Sequence, residues 1–146
     1  MEISKDFEEF FGLLNNHEVR YLVVGGYAVA IHGRPRFTND IDIFLDANEP
    51  NAWNVMAALQ EFGFGHVGIA LDDLVKPNQV IQLGYPPFRI DLLTSIFGVT
   101  FATAWPRKVS AKYGDQIVYF IGKEDLVSNK KNAGRKRDLE DLDDLM

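Results

Sequence analysis

The sequence contains no cysteine, which excludes disulfides and thiolate metal sites. Long hydrophobic runs are missing too. The stretches Tyr21–Val24 and Ile41–Leu45 are strand length, far below the ~20 apolar residues that a membrane span requires. The opening residues, Met-Glu-Ile-Ser-Lys-Asp, have neither the basic start nor the apolar stretch of a secretory signal. Positive charge is in deficit, with 15 Lys and Arg against 21 Asp and Glu and a net charge of −6. That balance argues against a dedicated binder of nucleic-acid backbone, which normally carries a basic surface. Together these absences predict a cytoplasmic protein with no membrane partner. They leave a nucleotide substrate open, because a metal-bridged triphosphate brings its own cations and the site that holds them must be acidic.

What is present reads as one ordinary globular unit. A chain of 146 residues, 47% hydrophobic and 25% charged, is expected to form a single domain over residues 1–146 around one core. A short helical segment closes it at about residues 122–146. Phe7, Phe10, Phe11 and Leu14 recur at helical spacing behind a Ser4 N-cap. Tyr21–Val24 is a short strand that ends at Gly25-Gly26, followed by a helical turn or two up to His32. Ile41–Leu45 is a second strand, and a helix follows from Pro50 to Gly63. Residues 64–77 read as a loop with a short helix near Ala70–Leu74. Val80–Leu83 and Phe88–Leu93 form a hairpin candidate, as do Lys108–Lys112 and Gln116–Ile121. The order predicts a mixed α/β (α+β) fold, a central mixed sheet flanked by helices. Phe7, Phe10, Phe11 and Trp53 are expected in the core, and His32 as a packing or helix-end residue.

The chemistry concentrates in Gly25-Gly26, a thirteen-residue spacer, and Asp40-Ile41-Asp42-Ile43. Side chains alternate along a strand, so Asp40 and Asp42 share one face while Ile41 and Ile43 take the core face. Their Cα atoms lie roughly 6–7 Å apart, near enough to bind one hard cation or bridge two. Unrelieved, two such charges would repel and raise one pKa. In Phe88–Leu93, Asp91 faces opposite to Ile90 and Leu92, and if the strands are neighbours it completes an acidic triad. Glycine lets backbone approach a ligand, and the N–H groups of a helix start favour phosphate. Arg34, Arg36, Thr38 and Asn39 lie in the spacer, where the arginines and Thr38 suit phosphate oxygens.

Val23-Val24-Gly25-Gly26 and Asp40-Ile41-Asp42-Ile43 resemble the signature of the DNA polymerase β-like nucleotidyltransferase superfamily. A narrower likeness links Gly25–Ala28, His32-Gly33, Arg36, Thr38 and Lys130–Leu142 to small prokaryotic nucleotidyltransferases related to abortive-infection toxins. The resemblance implies a nucleotidyltransferase fold and transfer of a nucleoside monophosphate from a Mg2+ (or Mn2+) nucleoside triphosphate, such as ATP. The acceptor would be a hydroxyl on RNA, protein or a small molecule. It further implies Asp40, Asp42 and Asp91 as catalytic metal ligands, and Gly25, Gly26, Arg36, Thr38 and Lys130 as nucleotide-binding residues. A toxin or defence role with a cognate antitoxin or other partner protein belongs to the same likeness. Unlike larger members, this sequence has no sizeable C-terminal domain for an acceptor.

Two rival functions are an inactive nucleotide-binding or regulatory module of the same fold, and a metal-dependent nucleotide or phosphodiester hydrolase. The residues also have plainer readings. The aspartates could be solvated strand residues, Gly25-Gly26 a tight turn, and the basic run Lys130–Arg137 an offset to the acidic tail.

Overall fold

The computed structural model describes residues 4–33, 39–64, 68–85 and 88–145. Helix α1 (Lys5–Asn16) begins where the Ser4 hydroxyl accepts from the Phe7 N–H at 3.4 Å, and it buries Phe7, Phe10, Phe11 and Leu14. Strand β1 (Tyr21–Val24) is buried along its whole length and runs straight into α2 (Gly25–His32). Strand β2 (Asp40–Leu45) follows. Helix α3 (Glu49–Phe62) is then started by the Asn48 side chain, which accepts from the Asn51 N–H, and stopped by left-handed Gly63. The poorly patterned stretch after it contains a single 3-10 turn, Leu71–Leu74, among its described residues.

Strands β3 (Val80–Tyr85) and β4 (Phe88–Leu93) pair antiparallel. A short helix, α4 (Phe101–Ala104), precedes the β5 (Val109–Tyr113) and β6 (Gln116–Phe120) hairpin. The chain ends in α5 (Lys123–Ala133) and α6 (Lys136–Leu145), separated at Gly134, whose φ of 66° is the left-handed conformation that glycine adopts without strain.

The six strands form one mixed sheet in the order β3-β4-β2-β1-β6-β5. The fold expectation, a central mixed sheet flanked by helices, is therefore met. Neither the order nor the two parallel pairings, β2 with β4 and β1 with β6, follows from hairpin signals. β1 and β2, the most deeply buried strands, occupy the centre, with the hairpins closing either side. Helices α1 and α3 pack on each other, and α2, α5 and α6 form a second group. His32 ends α2 by donating from Nε2 to the Ile121 carbonyl at 2.7 Å, a packing role as expected. Trp53 corrects an expectation: it sits on the outer face of α3 and is 58% exposed. The buried stripe of that helix is Asn51, Ala52, Val55, Ala58 and Leu59 instead. Among the described residues no helix is long and apolar enough to cross a membrane.

Candidate active site

The central pairing decides where the acidic side chains go. Strand β4 lies parallel beside β2 with Asp40 opposite Arg89, Ile41 opposite Ile90 and Asp42 opposite Asp91. Residues directly opposite on neighbouring strands share a face. Asp40, Asp42 and Asp91 therefore project to one side, while Ile41, Ile43, Ile90 and Leu92 enter the core from the other. The same face carries the end of β1, where Val24 pairs with Asp42 and the chain turns into Gly25-Gly26. No side chain caps the start of α2, which begins beside the carboxylate of Asp42.

Gly25 has a structural reason to be glycine. Its φ is 67°, and a Cβ built there would collide with the carboxylate of Asp42. Gly25→Ala is expected to displace Asp42 and strain the turn together. Activity should fall at least a hundredfold with a stability loss of about 1–3 kcal/mol. Steady-state kinetics and thermal unfolding measure the two effects.

The electrostatics are those of crowded carboxylates. Asp42 is pushed up to about 6 by burial, by the charges of Asp91 and Asp40, and by the hydrogen bond it can share with Asp91. Arg89 relieves part of the conflict. Its guanidinium donates to Asp91 at 3.0 Å and 3.2 Å and reaches Asp40 at 3.3 Å. Hydrogen bonding to Asp91, then the charges of Asp91 and Asp40, hold the arginine still more firmly protonated than usual. Arg89 is engaged with two of the three carboxylates, and no group of three acidic or histidine side chains among the described residues is arranged as a metal ligand set. The donor chemistry nevertheless suits a hard divalent cation. All-oxygen ligands converge from two strands, one of them raised to about 6 by burial and by its like-charged neighbours, beside a glycine whose Cβ would collide with it.

Gly25, Gly26, Asp40, Asp42, Arg89 and Asp91 line one cavity of about 430 Å³. Lys130, Arg135 and Arg137, from α5 and the start of α6, form its basic side. Lys130 is buried, and its Nζ lies 3.2 Å from Asp138 and 3.1 Å from Asp141. Burial works against the charge of Asp138, yet hydrogen bonds from Arg135 and Lys130 hold its carboxyl below the ordinary range. Part of the basic run thus does answer the acidic tail, by a specific clasp. Its charge still reaches Asp42, on which Lys130 exerts a lowering pull. Arg34, Arg36 and Thr38 lie outside the described residues, while Asn39 sits beside the site, its carbonyl accepting from the Arg89 N–H at 3.4 Å. Arg89 lies outside the sequence motifs that mark the aspartates. The signal was there, since Arg89 and Asp91 are two apart on a strand and must share a face.

Two solved structures have the same fold. One is TM1012 of Thermotoga maritima, a protein assigned as a nucleotidyltransferase: TM-score 0.63, 18% identity, with 97% of this chain and 93% of that one aligned. The other is the lincosamide antibiotic adenylyltransferase LnuA, solved with lincomycin bound: TM-score 0.58, 16% identity, with 99% and 98% aligned. No curated protein matches the chain in sequence. The family described as "Nucleotidyltransferase of unknown function (DUF6036)" matches residues 1–145, and the chain belongs to that nucleotidyltransferase family.

Proposed function

We propose that this protein transfers a nucleoside monophosphate from a nucleoside triphosphate to an acceptor hydroxyl, with Asp40, Asp42 and Asp91 as its catalytic carboxylates. The observation that carries the reading is the register of β2 against β4, which sets Asp42 opposite Asp91 beside the glycine start of α2. The three aspartates would hold Mg2+ or Mn2+. Such a cation, when bound, neutralises triphosphate charge and makes the acceptor hydroxyl easier to ionise.

The chain's own residues supply the rest. Gly25 and Gly26 let the triphosphate approach the backbone, and the N–H groups of α2 donate to it. Arg36 and Thr38 are proposed as further phosphate partners. Asp91, the most buried of the three carboxylates, orients the acceptor hydroxyl or takes its proton. The acceptor oxygen then bonds to the α-phosphorus as the bond to the bridging oxygen breaks, and pyrophosphate leaves. Lys130 spends its ammonium on Asp138 and Asp141, so its contribution to nucleotide binding is a positive potential at the cavity wall. A small-molecule hydroxyl, an RNA end and a protein hydroxyl all remain acceptor classes, in a cytoplasmic setting. A toxin or defence role with a cognate partner protein is the corresponding biological proposal, carried only by the resemblance of Gly25–Ala28 and Lys130–Leu142.

The test supplies each α-labelled triphosphate with magnesium, cellular RNA, cellular protein and a panel of small hydroxyl compounds. An Asp40→Ala/Asp42→Ala variant runs in parallel. Label transferred to an acceptor by the native protein alone is the expected result. Free monophosphate would identify a hydrolase, and tight triphosphate binding without turnover an inactive module; either would overturn the reading.

A further inference from the structure

The cavity has a wall that phosphate and metal chemistry leave unused. Beyond β4 the chain makes a tight turn, closed by a bridge between Ile96 and Val99, with Phe97 and Gly98 at its tip. Phe97 lines the cavity and is 65% exposed. Among the phenylalanines with described side chains it is the one that is exposed; the others are buried or half-buried in the core. Val80 and Ile96 continue the same apolar wall, and Val80 is exposed as well.

The turn is held in place. The Asn129 side chain of α5 donates to the Phe97 carbonyl at 3.0 Å. Gly98 has a φ of 71°, and a Cβ there would collide with the Asn132 amide one turn further along α5. The Asn129 hydrogen bond and the close packing of Gly98 on Asn132 therefore hold the backbone that follows an uncovered aromatic ring against α5. An exposed ring gains nothing for folding, whereas a positioned ring offers a flat face to a ligand at little entropic cost. The cavity presents a helix start and basic side chains for a polyanion at one side and this apolar wall at another. A ligand that satisfies both carries phosphates and a planar ring.

We propose that Phe97, whose carbonyl Asn129 anchors to α5, is the platform on which the nucleobase of the triphosphate stacks. This rests on the reading of the cavity as a nucleoside triphosphate site and adds where the base lies. Stacking on one aromatic face tolerates every base, with larger purines gaining more contact than pyrimidines. Phe97 is therefore a binding residue with a modest preference for purines.

Calorimetric titration with magnesium and ATP, CTP or inorganic tripolyphosphate tests this on native protein and on Phe97→Ala and Phe97→Trp. The ring is exposed, so both variants should keep native thermal stability. Phe97→Ala is expected to weaken ATP binding about tenfold or more, CTP less, and tripolyphosphate not at all, in line with the usual worth of base–aromatic stacking. Phe97→Trp should retain ATP affinity. Unchanged ATP affinity in Phe97→Ala, or equal weakening of ATP and tripolyphosphate, overturns the platform while leaving the triphosphate site standing. Native protein that binds neither ATP nor tripolyphosphate overturns both.

Discussion

Asp42→Asn should abolish transfer and stabilise the metal-free protein in the same step. The loss of turnover is expected to exceed a thousandfold, because the substitution removes a charge that the site needs and replaces it with an amide that binds a hard cation poorly. The gain in stability follows from the cluster itself. Asp42 is nearly isosteric with asparagine, and its carboxylate is packed against Gly25 beside Asp40 and Asp91. Holding it ionised costs the fold roughly the free energy of its displacement from 3.8 to about 6, on the order of 3 kcal/mol at neutral pH. An amide also donates a hydrogen bond to Asp91, where the carboxylate repels it. The midpoint of thermal unfolding in chelator should rise by roughly 5 °C or more.

The pH dependence supplies a second check. The folded-state pKa of Asp42 lies above its unfolded value, so the folded protein takes up a proton as pH falls through about 6. The stability contributed by the protonated form is fully present below about 4 and is lost as pH rises through 6. The advantage of Asp42→Asn should accordingly be large at pH 7 and small near pH 4. A difference in unfolding midpoint that does not vary with pH would sink this account of the cluster.

Lys130→Met should be the most destabilising single substitution in the α5–α6 region. The ammonium lies between Asp138 and Asp141, all three side chains being almost inaccessible to water. Truncating one member of such a group leaves the buried opposite charges uncompensated, which typically costs about 3–5 kcal/mol. Arg135 still reaches Asp138 at 2.7 Å and softens the loss on that side. The midpoint of unfolding is expected to drop by ~10 °C, and α6 should lose protection from hydrogen exchange first. Adding Asp141→Leu to Lys130→Met should restore most of the stability, because a buried ion pair replaced as a whole by apolar groups costs little. If the single variant unfolds at the native temperature, the clasp is not what docks α6.

The parts of the fold carried by local periodicity were legible in the sequence. Alternation placed Ile41 and Ile43 inward and Asp40 and Asp42 together, and the same alternation placed Asp91 opposite to Ile90 and Leu92; the pairing of β2 with β4 then joined the two halves. What was not legible depends on contacts between distant segments. Trp53 looked like core because aromatic residues usually are, yet the burial stripe of α3 runs through Asn51 and Val55. Asn51 is buried because its side chain bonds the backbone of Arg20 and Asp46, a demand set by tertiary structure. The partners of Lys130 lie beyond the Gly134 turn, and nothing in the spacing of a basic run and an acidic run specifies the angle between two helices. Arg89 shows a different gap: its face was predictable, but that Asp40 would lie opposite required knowing the strand order.

That strand order also sets when the protein can become competent. Asp40 and Arg89 are 49 positions apart, and the parallel pairing that unites them requires the chain to pass through α3 and the β3–β4 hairpin first. A nascent polypeptide that has extruded only β1, α2 and β2 already holds its glycine turn and two aspartates, yet it cannot hold the third. On the proposed reading, the carboxylate set is therefore complete only once β4 has been made and paired with β2.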